Sequence, residues 1–582
     1  MQRNFSVVLF IMSILLLIFS SSNTITTFSI KDILGLAERL HVSYWFGLFL
    51  IMVSLLLLVF DNKDHEKLFL IEVFILALYL YAIPALVEEN LYFYDSWMHL
   101  SRSMYILIAK SYNQPLTIYP GEFPGAFVLQ SIIILITGIN PVTLTKYYPL
   151  LFSGLIVLTS YIVLRRLIFD KKMLYLAMIF FISGSVWVFP KHFCPNSIAL
   201  IWYLLIFYLA FSRKSIRAIG LSIFLTCAII VSHAVTLPFL ILSTILIPTS
   251  LIMSKKLPKL KEGCYLGKHW SLSRFFPVVV LIMWLAWLIF NAIGELIYII
   301  NKVVNFFMSL VKYITLERVT ERLYTTPYHS IGETIKISYT ILYVSISIIG
   351  ALYLTLKIFK ENEREHVNLF ITMISWIMAC GIFGVATAFL QGGELFERPI
   401  LFGFIPLSVL AAFTYKNRYA KVLFISVLLI GAPLSVFAAY TSESFEYSPT
   451  SDVYGSLFLI NHGIIAGLPN SDFLNNITVG TPTSLIYIFY NYYWVFQSDL
   501  DPKDLSSSKG TVFIWSQVSE NFYFILFKET NYTILTTTEL NPKFVSLMDK
   551  YSNVTSRSKL NLIYNNGDFR AWFVVGNATE VP

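Results

Sequence analysis

Asp95, His99 and Arg102 stand at i, i+4 and i+7 in the run Tyr94-Asp95-Ser96-Trp97-Met98-His99-Leu100-Ser101-Arg102. A helix over 95–110 therefore puts a carboxylate, an imidazole and a guanidinium on one face. A carboxylate at a water–bilayer boundary can act as general base on an acceptor hydroxyl. An imidazole one turn on can orient it, supply a proton, or share a divalent metal such as Mg or Mn with it. Glu122, in the run Tyr119-Pro120-Gly121-Glu122-Phe123-Pro124-Gly125, is an acid close by in sequence and completes the candidate catalytic set of Asp95, His99 and Glu122. No cofactor is certain from these residues; if a metal is used, Asp95 and His99 are its candidate ligands. The alternative reading is a hydrated interfacial helix whose polar face meets water.

Three further clusters suit an anionic ligand. Lys191-His192 follows Trp187-Val188-Phe189-Pro190 at the end of an apolar run, where a cationic pair suits a lipid-linked phosphate through charge-assisted hydrogen bonds. The alternative there is a snorkelling interfacial lysine. Gln391-Gly392-Gly393-Glu394-Leu395-Phe396-Glu397-Arg398-Pro399 offers Arg398 as a bidentate phosphate clamp and Glu394 and Glu397 as partners of sugar hydroxyls, against a local Glu–Arg pair at a helix end. Arg102 joins Lys191, His192 and Arg398 as a candidate lipid-phosphate contact. His233, alone at a span end, reads as a packing residue, and Glu317-Arg318-Val319-Thr320-Glu321-Arg322 as a solvated face. No Walker loop, GxGxxG, HExxH or GxSxG element is present, which removes support from ATP-driven transport and the common hydrolases.

The elements that position these residues are membrane elements. Of 582 residues, 57% are hydrophobic and only 13% charged, with mean hydropathy +0.70; soluble domains carry about 25% charged residues. The net charge of +8 is no nucleic-acid signal, because Lys and Arg fall in short clusters between apolar runs. The four cysteines, Cys194, Cys227, Cys264 and Cys380, form no CxxC pair.

Apolar runs near 5–20, 44–60, 68–88, 143–164, 173–190, 197–211, 216–232, 235–253, 275–297, 334–357, 368–390, 398–414 and 422–440 predict about thirteen transmembrane helices. The first is expected to be a retained helix rather than a cleaved signal. With the N-terminus cytoplasmic, the basic clusters at Arg165–Lys172, Arg213–Arg217, Lys255–Arg274, Lys357–Lys360 and Lys416–Lys421 all fall inside, provided the short run 125–139 does not cross. That run is then a juxtamembrane or re-entrant helix. The outer loops 89–142 and 298–333, and everything after 440, lie outside the cytoplasm.

After Tyr440 the composition turns polar, with strand-like stretches at Leu457–Ile460, Thr511–Trp515, Phe522–Phe527, Leu560–Tyr564 and Ala571–Val575. The division is a multi-span domain, 1–440, and an extracytoplasmic α/β domain, 441–582. Sequons at Asn476, Asn531, Asn553 and Asn577 agree with an outside C-terminus.

With these residues in view, the chain resembles the GT-C class of membrane glycosyltransferases, and distantly the oligosaccharyltransferase catalytic subunits and protein O-mannosyltransferase-like families. Tyr94-Asp95-Ser96-Trp97-Met98-His99-Leu100 is similar to the Asp-Pro-Trp-Tyr-His-Leu-Arg style of motif, Tyr119-Pro120-Gly121 to the proline-rich return of that loop, and Ser330-Ile331-Gly332-Glu333 to the Ser/Thr-x-x-Glu motif. Asn196-Ser197-Ile198-Ala199-Leu200 falls where those enzymes carry a second acidic motif, but no acid stands there, and the Trp-Trp-Asp-Tyr-Gly signature is absent. The resemblance implies an all-α polytopic domain and transfer of a sugar from a polyprenyl-phosphate carrier to a glycan, lipid or protein outside the cytoplasm, at the plasma membrane. Its partners would be membrane lipid, that donor and an acceptor, with no nucleic acid. The competing expectations are a transporter or flippase of a lipid-linked or small solute, and a non-catalytic scaffold. A transporter needs ionisable residues in mid-span, and the runs are nearly free of them, with Glu72 and Glu295 read as close to the ends.

Overall fold

The computed structural model describes residues 2–25, 34–63, 65–110, 122–186, 191–212, 214–254, 270–313, 331–360, 366–391 and 397–441, and the strand residues 477–479, 510–516, 521–528, 531–536, 560–565 and 569–575. Its first helices are α1 (Gln2–Ser21), α2 (Leu36–Arg39), α3 (Val42–Phe60), α4 (Glu66–Tyr81), α5 (Ile83–Val87) and α6 (Tyr94–Ala109). There follow α7 (Gly125–Thr137), α8 (Pro141–Leu167), α9 (Lys171–Gly184), α10 (Pro195–Ala210), α11 (Ile216–Ser232) and α12 (Thr236–Ser254). The remainder are α13 (Phe276–Asn291), α14 (Ile293–Tyr313), α15 (Ile331–Lys360), α16 (Val367–Gln391), α17 (Glu397–Ala412) and α18 (Arg418–Tyr440).

The scaffold is built round α9. Every residue from Met173 to Gly184 is buried, as expected of a helix that is apolar all round, and α3, α4, α8, α17 and α18 pack against it. Large apolar side chains on the outer helices stay uncovered, among them Ile136, Phe290 and Leu158. Such an apolar exterior suits lipid, and the chain is a membrane-embedded, helical protein.

Among the described residues, eight helices are long and apolar enough to cross a membrane: α1, α3, α8, α12, α15, α16, α17 and α18, with a ninth if α13 and α14 count as one span broken by a 111° bend. Of the thirteen apolar runs expected to span, eight or nine thus hold helices of full spanning length, and the others hold shorter helices such as α10 and α11. Each apolar run contains a helix, but several are short: the 14 residues of α9 reach only ~21 Å, against a hydrocarbon core of ~30 Å. The run 68–88 is divided because Pro84, in the first turn of α5, cannot continue α4. The expected outer loop 298–333 opens in helix, since α14 runs through Tyr313. Its apolar residues Ile293, Leu296, Ile297, Ile300 and Val304 recur at helical spacing, the pattern of a helix lying along an interface. The run 125–139 becomes α7, whose 13 residues rise ~20 Å, short of a crossing.

Glu72, read from sequence as near a span end, sits buried inside α4. Its Oε1 accepts from Ser6 Oγ at 3.1 Å, and Ser6 Oγ lies 3.0 Å from Ser54 Oγ. Tyr79 also donates to Ser13 O at 2.6 Å, so α1 is tied into the bundle by polar contacts on α3 and α4.

Beyond Thr441 the described residues are six strands, β1 (Ile477–Val479), β2 (Gly510–Ser516), β3 (Asn521–Lys528), β4 (Asn531–Thr536), β5 (Leu560–Asn565) and β6 (Phe569–Val575). They form one sheet in the order β1-β4-β3-β2-β6-β5, with only the β1–β4 pair parallel. No helix accompanies the sheet among the described residues, and Leu457–Ile460 lies outside them.

Candidate functional site

The head of α6 carries the site. Phe93, its N-cap, has φ 66° and ψ 128°, a conformation disfavoured for a bulky residue and one that costs about 1–3 kcal/mol. Ser96 N donates to Phe93 O at 3.0 Å, and Ser96 Oγ donates to Tyr92 O at 2.5 Å. These contacts start the helix so that Asp95 lies in its first turn and His99 one turn on. Lower down, Ser103 Oγ donates to Gln130 Oε1 at 2.5 Å, and Gln130 Nε2 donates to Thr145 Oγ1 at 2.9 Å. Ser131 Oγ returns a bond to Ser103 O at 2.7 Å. This buried ladder fixes α6 against α7 and α8, since each polar group in it would be costly to leave unpaired.

His192 arrives from the segment before α10. Lys191 Nζ donates to Ala439 O at 2.7 Å and lies 4.5 Å from the Tyr440 ring centre. Phe193 packs edge-on to Tyr148 at 5.2 Å, and Tyr148 Oη lies 2.6 Å from Ser197 Oγ. His192 is held between these anchors. Its ring lies 4.8 Å from that of Phe93 and 5.9 Å from that of His99, nearly parallel to the latter at 9°. His99 in turn lies 5.5 Å from Phe127. Four rings from α6, α7 and the His192 segment thus form a column: Phe93, His192, His99, Phe127.

Against this column, Asp95, His99 and His192 each offer a donor atom, all within 4.8 Å of one another. His99 Nδ1 is buried without a hydrogen-bond partner among the described residues. A ligand or ion is one of the few ways such a group is satisfied. Burial pushes the His99 imidazole well below its usual range, and the nearby His192 ring, when protonated, and the Arg102 guanidinium act in the same direction. Burial and then Lys191 push His192 down to about 3. Both imidazoles are therefore neutral at pH 7, with nitrogen lone pairs available to accept or ligate. Burial pushes the Cys194 thiol up to about 11, with the Asp95 charge among the smaller causes, so this cysteine is an inert neighbour of the carboxylate.

The other expected site residues are distributed differently. Arg102 is buried at 6% exposure and within electrostatic reach of His99. Glu122 is not among the groups that converge with Asp95. Its two carboxylate oxygens accept from Gly294 N and Glu295 N, both at 2.9 Å, so it caps α14, where unpaired N–H groups and the helix dipole favour an anion. Arg398 lies within electrostatic reach of His233 and Glu295. Glu122, His233, Glu295 and Arg398 therefore make a second polar cluster where α11, α14 and α17 begin or end. Glu394 lies outside the described residues, as do the Glu397 side chain and the segments 111–121 and 314–330.

Sequence reasoning assigned His192 to phosphate and missed its convergence with Asp95 and His99. The signal available was its place four residues before Asn196, the position at which a second ligand was sought and found lacking. No family model matches the sequence, and no curated protein sequence matches it.

Proposed function

We propose that this protein is an inverting membrane glycosyltransferase that moves a sugar from a polyprenyl-phosphate carrier to a glycan, lipid or protein acceptor on the extracytoplasmic face. The observation that carries the reading is the convergence of Asp95, His99 and His192 within 4.8 Å at the head of α6, beside a buried guanidinium, on an apolar helical scaffold. In this reading Asp95 takes the proton of an acceptor hydroxyl as that oxygen attacks the anomeric carbon. The bond from that carbon to the phosphate oxygen breaks, and the lipid phosphate leaves with the electron pair. Arg102 offsets the growing charge. Lys191, bonded to the end of α18, acts by positioning His192, and Arg398 belongs to the second cluster. Neutral imidazoles beside Asp95 keep it orientated.

The same three residues would hold a divalent ion, which would supply a Lewis acid for an oxygen ligand. Two nitrogen donors and one carboxylate suit zinc and its neighbours better than Mg, which prefers oxygen ligands. The inside placement of the basic clusters supports an outward-facing Asp95, with a plasma-membrane location and an extracytoplasmic α/β domain after 441 as the matching organisation. The test is complementation of a knockout: Asp95→Asn should express and insert normally while glycan extension, read by mass spectrometry, is abolished. Unchanged glycans would sink the assignment.

A second reading, a transporter or flippase, draws on Glu72, buried within α4 and bonded to Ser6, since an ionisable group inside a bundle often marks a substrate or proton path. Flux into proteoliposomes that needs Glu72 and not Asp95 would favour it.

A further inference from the structure

At the far end of α8 from the Asp95 cluster lies an open cleft of about 600 Å³, lined by Arg166, Tyr208, Ser212, Ser215, Arg217 and Leu221 among others. Thr145, at the end of the ladder that fixes α6, and Arg166 are 21 residues apart on this one helix, a rise of ~31 Å. The cleft thus stands about one hydrocarbon thickness from the site.

Its chemistry is cationic and hydroxylic. Arg166 leans on Tyr208, 5.3 Å from the ring centre, and its Nη2 donates to the Tyr208 hydroxyl at 3.4 Å; among the described residues its remaining guanidinium donors are left for another acceptor. Arg217 is exposed on the second wall. Ser215 caps α11 by accepting from Ala218 N at 3.0 Å, while the N–H groups of Ile216 and Arg217 have no partner within the helix. Guanidinium pairs, hydroxyls and first-turn N–H groups are the donors that phosphate oxygens take.

The apolar surroundings choose the source of that phosphate. Arg217, Leu221 and Phe224 stand at i, i+4 and i+7 on α11 and so share one face. Leu221 is 47% and Phe224 67% exposed, and the flanking Phe169 and Ile216 are 84% and 86% exposed. A charged end above a stripe of uncovered apolar side chains matches a headgroup with its acyl chains, and it does not match a free phosphate or a nucleotide.

We propose that this cleft is a binding site for the phosphodiester headgroup of an anionic phospholipid, with its acyl chains lying along Leu221 and Phe224. The basic residues here thereby hold a specific lipid as well as marking the cytoplasmic side.

The test uses the full-length chain in detergent and titrates short-chain phosphatidylglycerol, phosphatidylcholine and inorganic phosphate, following thermal stability and native mass spectra. Phosphatidylglycerol should bind saturably and raise the melting temperature, with phosphatidylcholine at least about tenfold weaker, because it lacks the net charge. Arg166→Gln with Arg217→Gln should remove that preference by a similar factor. Leu221→Ser should weaken phosphatidylglycerol and leave inorganic phosphate unchanged. Equal binding of the two lipids, or a preference that survives the double arginine substitution, would overturn the site. Inorganic phosphate binding as tightly as phosphatidylglycerol would overturn the lipid assignment. Should the double variant fold poorly, Arg166→Lys with Arg217→Lys keeps the charge, loses the fork geometry, and should retain only part of the preference.

Discussion

His192 is the residue at which sequence and site diverge most usefully. As a phosphate contact it would be cationic, whereas its half-buried ring lies nearly parallel to that of His99 and is held neutral, with a nitrogen available for a ligand. His192→Gln should therefore lower affinity for Zn²⁺, measured by elemental analysis of dialysed, tag-free protein, by more than about tenfold, while millimolar Mg²⁺ should compete little with the wild type. Retained stoichiometric zinc in that variant would remove His192 from the ligand set. His233 gives a separate test, because burial and then Arg398 hold its imidazole well below the usual 6.5. The unfolded chain takes up a proton near that value and the folded chain refuses it. The contribution of His233 to stability is then fully present above pH 6.5 and is lost as pH falls below it. His233→Gln should flatten the decline in melting temperature between pH 7 and pH 5; an unchanged acid limb would contradict the placement. The i, i+4 face of Asp95 and His99 was legible because helical spacing is local. The capture of Glu122 by the start of α14 was not, since Gly294 and Glu295 lie more than 170 residues away.

At the scale of elements, the position of α7 decides whether His99 meets its neighbours. A methyl group on Gly125 would fall 2.3 Å from Ser232 Oγ and 3.0 Å from the Val231 carbonyl, so α7 approaches α11 only because that residue lacks a side chain. Gly125→Ala should cost about 1–3 kcal/mol and displace Phe127 from His99, lowering the rate of sugar transfer more than expression. Normal activity and stability would show that α7 does not set the site. Hydropathy located the helices of the scaffold, since apolar runs such as 143–164 and 422–440 lie within α8 and α18. It misjudged their reach. The burial of α9 from Met173 to Gly184 sets a helix of only 14 residues inside the protein, where about 20 would be needed to cross lipid, and the bend after Asn291 has no counterpart in the apolar run 275–297.

Over the whole molecule, the account requires the Asp95 cluster and the arginine cleft to open on opposite faces. Single cysteines placed at Lys110 and at Lys214, in a background where Cys194, Cys227, Cys264 and Cys380 are replaced, should be labelled by an impermeant maleimide from outside and from inside respectively. Labelling of both from one side would break the topology drawn from the basic loops. The polar composition beyond Tyr440 and the strands β2, β3, β5 and β6 occupy the same stretches of chain, and short runs of aromatic and β-branched residues made those segments readable.

The most direct test of the central claim is transfer by the purified chain. Wild-type protein given a labelled polyprenyl-phosphate sugar and a membrane glycan extract should release the lipid phosphate and label the acceptor. Asp95→Asn, folded and with an unchanged melting profile, should lose at least about a hundredfold in rate, as expected for removal of a general base. Transfer by Asp95→Asn at the wild-type rate would contradict the account.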